Sequence, residues 1–108
     1  MLIFVERRFE LEEKEVIARF GRPEKAVSGE YQCQYKVDWP DQQLHGYVCG
    51  EDGVQALMLT MKKVHMELVA SDAYKQGRLT LWQQADLDLP PTWGAGPLYY
   101  IPPRDGLV

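Results

Sequence analysis

Runs of basic residues are absent from this chain. Its 12 Lys and Arg stand singly or in pairs, as at Arg7 and Arg8 or Lys62 and Lys63, against 16 Asp and Glu, for a net charge of −4. Nucleic acid is bound by a basic stripe that neutralises phosphates, so that class of partner is set aside, and anionic membranes with it. Long apolar runs are missing too. Leu2 to Val5 are four apolar residues followed by Glu6 and two arginines, which reads as neither a signal peptide nor a span. A cytoplasmic protein with reduced thiols is the expectation. Cysteine and histidine are scarce, at two each. Cys33 and Cys49 could form one disulfide if their strands were neighbours; buried free thiols are the alternative that a reducing compartment favours. No internal repeat is present.

The 108 residues, 45% of them hydrophobic, are enough for one domain with a single core. Its centre is the stretch from Asp52 to Ser71. Read as a helix, it sets Val54, Leu57, Met58, Met61, Val64, Leu68 and Val69 at steps of three and four, one continuous apolar stripe. Asp52, with Gln55 three residues on, has the spacing of a capping box. Around this helix lie segments of period two: Leu2 to Glu10, with Ile3, Val5 and Phe9 on one side, then Glu15 to Phe20. Tyr31 to Asp38 alternates most cleanly, and Leu44 to Cys49 and Arg78 to Trp82 come after it. The expected fold is α+β: an antiparallel meander of four to five strands, in the order β-β-β-β-α-β, with one long amphipathic helix on one face.

From Ala85 the character changes. Five of the seven prolines fall between Pro90 and Pro103, which excludes a regular helix or a central strand. Residues 1–84 are therefore read as a single α+β domain and 85–108 as an irregular arm, rich in Pro and aromatics, packed on that domain over a sheet edge. In a second reading Trp93 or Tyr100 anchors a partner, since large rings dominate interface hot spots.

Catalytic chemistry finds little footing. Cys33 with His45 or His65 could form a nucleophile and base, but no nucleophile motif, oxyanion loop or third orienting group accompanies them. His65, beside Val64 on the helix stripe, reads more simply as a partly buried histidine. No metal is expected: His45 and Cys49 share a strand face, yet four residues at about 3.3 Å separate them by roughly 13 Å, too far for one zinc. Paired carboxylates in loops read as solvated, the acidic Gly50–Gly53 turn is no phosphate cradle, and no cofactor is expected.

One constellation does arise if the strands run up and down. The first turn (Glu12, Glu13), the third connection (Asp38, Trp39, Asp41) and the helix exit (Asp72) then meet at one end, where the helix C-terminus adds negative partial charge. Such an acidic rim around a tryptophan suits a basic protein partner. Equally, it could be a solvated loop end with Trp39 folded onto the core.

Gly50, Asp52, Gln55, Ala56 and Leu57, in the order G-x-D-x-x-Q-A-L, with Asp86-Leu87-Asp88-Leu89-Pro90 further along, resemble a family of small bacterial domains of unknown function across the middle two thirds of the chain. The resemblance implies a bacterial origin and an α+β fold and brings no activity. Gly53 departs from the family's larger or hydroxyl residue, and the aromatic tail looks like an addition. In size and charge the chain is also similar to immunity proteins, which block a secreted toxin. The functional expectation is therefore a non-enzymatic protein-binding module, an immunity protein whose acidic surface neutralises a basic toxin domain, acting as a monomer or weak homodimer. The alternatives are an adaptor or structural domain for a housekeeping partner, and a small enzyme using Cys33 or His65.

Overall fold

The computed structural model describes residues 1–90. Strand β1 (Ile3–Leu11) turns through Glu12 and Glu13 into β2 (Lys14–Gly21). Pro23 interrupts that strand, and a two-residue strand, β3 (Glu24–Lys25), resumes within the stretch expected to be only a loop. β4 (Tyr31–Asp38) and β5 (Gln43–Gly50) form a second hairpin. Helix α1 (Gly53–Val69) runs directly into the short α2 (Asp72–Lys75), and β6 (Leu79–Thr80) closes the order.

Among the described residues, six strands form one antiparallel sheet. β5 lies at one edge beside β4; β2 and β3 succeed each other along the far side of β4; then come β1 and, against its last two residues, β6. The α+β class and the helix laid on an antiparallel sheet are thus as the alternation requires. The last strand, β6, pairs with the first, β1.

Alternation sorts the sheet into a buried face and a wet one. Phe9, Val16, Ala18, Phe20, Cys33, Tyr35 and Val37 point into the core. α1 covers β4 and β5, while Leu81, Leu87 and Leu89, with Leu79 on β6, belong to the same core cluster as Phe9, Val16 and Phe20. The leucines of the Asp86–Pro90 segment are therefore core residues, inside the stretch expected to begin an arm.

Two expectations are corrected. The buried line of α1 is Ala56, Thr60, Val64 and Leu68, whereas Val54 and Met58 are exposed and Leu57, Met61 and Val69 half-buried. The helix approaches the sheet so closely at its start that small residues occupy the contact and the bulky ones turn to solvent. The Thr60 hydroxyl, buried there, is satisfied by donating to the Ala56 carbonyl at 2.6 Å. In β1 the register shifts between Ile3 and Val5, with Phe4 as the extra residue. That bulge turns Ile3 to the other face; Val5, opposite Phe20 and in phase with Phe9, is still 40% exposed, so neither joins Phe9 in the core.

Cys33 and Cys49 lie on neighbouring strands without facing each other. Cys33 stands opposite Val48, and Cys49 opposite Gln32, so the two thiols point to opposite faces of the sheet. Both are free. Among the described residues no helix is long and apolar enough to cross a membrane.

Candidate functional site

Three connections converge at the end of the sheet where α1 terminates. The β1–β2 turn brings Glu12 and Glu13, the β4–β5 turn brings Trp39 and Asp41, and the α1–α2 junction brings Asp72; together they line an open concavity of about 960 Å³. The up-and-down order of the strands is what gathers them, since every second connection lies at the same end. Each turn is fixed locally. Glu12 holds a positive φ of 58° in its two-residue turn, a conformation disfavoured for a residue with a Cβ. The Trp39 amide donates to the Gln42 carbonyl at 2.8 Å, closing the second turn. Ser71 accepts from the Tyr74 amide and so caps α2, setting Asp72 at its first position.

The electrostatics of the groove are acidic but not uniform. Glu12 is paired with Arg78 at 3.0 Å, and Lys14 also lines the wall. The last turn of α1 carries no basic residue, so the negative end of its dipole faces the groove without a counter-charge from its own final turn. Trp39 is half-buried, packed against the core, and still forms part of the wall. It is folded onto the core, as one of the two readings had it, and its exposed part still reaches the groove.

Of the residues expected in the rim, Asp38 is placed elsewhere. It ends β4 on the wet face, where its carboxylate pairs with Arg19 and accepts from the Gln43 side-chain amide. Trp93 and Tyr100 lie outside the described residues.

The candidates for chemistry are held apart from this groove. Cys33 is fully buried and donates to the Gly21 carbonyl at 3.3 Å. Burial pushes its thiol pKa up, only partly offset by the Thr60 hydroxyl, which is the reverse of an activated nucleophile. His65 is half-buried on α1; burial lowers its pKa against the opposing pull of Asp86. His45 is exposed on β5. Among the described residues no cluster of three or more His, Cys, Asp or Glu could hold a metal ion.

A second constellation escaped the sequence reading. Arg7 projects toward the core side between Val5 and Phe9, donates to the carbonyls of Leu87 and Asp88, pairs with the Asp88 carboxylate at 3.6 Å, and lies under the Trp82 ring at 5.5 Å. Glu10, near the end of the same strand, accepts from the amides of Trp82 and Gln83 and from the Thr80 hydroxyl. Those bonds, led by the Gln83 amide, lower the Glu10 pKa. The available signal was an arginine at an inward position of an alternating strand, which a buried partner must match.

A family model described as a domain of unknown function, DUF6968, matches residues 5–91. The chain belongs to this family. The match reaches further than the middle two thirds expected from the motif, taking in most of β1, and it ends before Trp93 and Tyr100. No curated protein and no solved structure matches. The residues by which the chain resembles the DUF6968 domain have structural roles. Asp52 accepts from the Gln55 amide at 2.8 Å, and the Gln55 side chain accepts from the Glu51 amide at 2.7 Å, one residue before the position a capping box uses. Ala56 is fully buried against Gly50. Asp86 accepts from the Asp88 amide at 2.8 Å, which orients the leucines on either side of Asp88 into the core.

Proposed function

We propose that this protein is a non-enzymatic protein-binding module whose acidic groove takes a basic segment of a partner, and that it serves as an immunity protein against a secreted bacterial toxin. The observation that carries the reading is the meeting of Glu12, Glu13, Asp41 and Asp72, drawn from three separate connections, around the half-buried Trp39. Carboxylates at such a rim attract and orient a basic partner, while an aromatic ring anchored in the core offers contact area at little entropic cost. Cys33, buried with a raised pKa, is the reverse of an activated nucleophile, which weighs against the cysteine form of the enzyme alternative. On this reading the protein acts in the cytoplasm as a monomer or weak homodimer.

The test begins with capture of partners on the tagged full chain at low and at moderate salt, and continues with binding measurements on Glu13→Gln, Asp41→Asn and Trp39→Ala. A single partner, basic and toxic when expressed alone, whose affinity falls in these variants and with added salt, is the expected result. A set of housekeeping proteins would turn the assignment to an adaptor. Unchanged affinity in all three variants would remove the groove from it.

A further inference from the structure

The two sides of the sheet are built differently. On one, β1 carries Glu6, Arg7 and Arg8, is bulged at Phe4, pairs with β6 at its end and holds the Leu81–Pro90 segment through Arg7 and Glu10. On the other, β5 pairs with β4 along all eight of its residues in unbroken register and has no second neighbour among the described residues. Soluble proteins keep an edge strand from pairing by charge, proline, a bulge or shortness. β5 uses none of these, since Gln43 to Gly50 contains no Asp, Glu, Lys, Arg or Pro and the strand is longer than most. Its apolar side chains are also left uncovered. Leu44 and Val48 stand opposite Val37 and Cys33, which point into the core, yet Leu44 is 36% exposed and Val48 half-buried.

A second copy of the chain fits this edge in three respects. Antiparallel pairing about a two-fold axis joins residues of equal parity, because only every second residue turns its amide and carbonyl outward. An axis at Gly46 therefore sets Leu44 of each copy against Val48 of the other on the core side, and His45 against Tyr47 on the wet side. The helices then meet at a suitable distance. α1 lies over β4 and β5, so the two copies of it come to rest two strand spacings apart, about 9–10 Å, which is the separation of packed helices. Finally, the flank of α1 above β5 is complementary to itself. The Tyr35 hydroxyl lies 2.8 Å from where a Cβ on Gly46 would stand, and it donates to Glu67, which places Glu67 on that flank, while His65 neighbours Asp86 on the other. Lys63 and Glu67 pair there at i, i+4, and the axis brings Lys63 of one copy beside Glu67 of the other, with signs alternating across the seam. A foreign strand would bring neither the second helix nor this alternation.

We propose that the protein forms a two-fold dimer in which β5 pairs antiparallel with β5 of a second copy, centred on Gly46. The two acidic grooves then lie at opposite ends of the joined sheet, so the interface is independent of the binding reading. Sedimentation equilibrium of the full chain is expected to show a dimer at about 100 μM. Tyr47→Lys, at a position 60% exposed and so harmless to the fold, should raise the dimer dissociation constant by about tenfold or more. A chain that stays monomeric at that concentration leaves the edge to a foreign strand or to its own chain, and a dimer that ignores Tyr47→Lys is built on another face; either overturns the proposal. The register has its own test. Gln43→Cys places a thiol opposite Cys49 of the second copy, whereas within one chain the two positions are six strand residues, roughly 20 Å, apart, too far for a disulfide. Mild oxidation should therefore yield a covalent dimer whose peptide map joins position 43 to Cys49, and a map without that link counts against the pairing.

Discussion

A Cβ on Gly50 would stand 2.5 Å from the Ala56 nitrogen and 2.9 Å from its Cα. Both atoms are backbone in the first turn of α1, so the only relief is to pull the helix away from the end of β5. Gly50→Ala is therefore expected to cost about 1–3 kcal/mol, seen as a lower denaturation midpoint at unchanged slope. Gly46 is the control. A Cβ there meets the Tyr35 hydroxyl at 2.8 Å and its ring at 3.0 Å, a side chain and not backbone, so Gly46→Ala should cost less; the opposite ranking would contradict the close approach at Gly50. His65 gives a pH-dependent counterpart. Its folded pKa is lowered chiefly by burial, while an unfolded histidine protonates near about 6.5. Below that pH the unfolded chain binds the extra proton first, so the contribution present at neutral pH is lost as pH falls through the folded pKa. His65→Gln should flatten the acid side of the stability curve relative to the parent, starting at about pH 6.5 and extending downward. Parallel curves would show that His65 titrates alike in both states.

At the scale of elements, the fold depends on fastening a segment with little regular structure, Leu81 to Pro90, against β1. Backbone pairing supplies almost none of the attachment, since β6 has two paired residues. Burial of Leu81, Leu87 and Leu89 supplies much of it, and Arg7 and Glu10 add side-chain hydrogen bonds to the segment's backbone. The Asp88 side chain is only 4% exposed and Arg7 26%, so Arg7→Met takes from a buried carboxylate its arginine and is expected to cost about 1.5–3 kcal/mol. Asp88→Asn made alongside should recover part of that loss, and a double-mutant cycle measures the coupling. Strictly additive costs would mean that the two groups act apart. The same region shows where sequence reasoning stopped. The longer strands and α1 were legible because their periods are long and their stops are marked by Gly50, Pro23 or Pro40. Leu87 and Leu89 were not, because two leucines in an irregular, Pro-bordered segment carry no period. Nor was the buried line of α1, since Ala56 and Thr60 are chosen by how close the sheet lies, a tertiary fact that hydropathy does not record. The rim was legible in outline because strand polarity alone decides which turns share an end. Asp38 fell away because the last residue of a strand still obeys the alternation and points to the wet face beside Arg19.

For the whole molecule, the −4 net charge is a weak guide to partners, because charge far from the contact is screened within a Debye length of about 8–10 Å. On the proposed reading, what a basic partner meets at close range is the groove, where two cations, Lys14 and Arg78, stand among the carboxylates. Arg78 spans from Glu12 to Gln76 on exposed side chains, so its removal should leave the fold intact. It would free the Glu12 carboxylate and make the groove more negative, whereas Glu13→Gln makes it less so. If the groove steers a basic partner, the two substitutions must act in opposite directions: Arg78→Ala should raise the association rate and Glu13→Gln lower it, each by about two- to tenfold at low salt. The difference should collapse as ionic strength rises, with dissociation rates changing less than association rates. Trp39→Ala, which leaves the charge untouched, should instead act mainly on dissociation. A partner whose association rate moves the same way in both charge variants, or ignores salt, would have to bind at another surface, because no rearrangement of exposed side chains reverses the sign of the field at the groove.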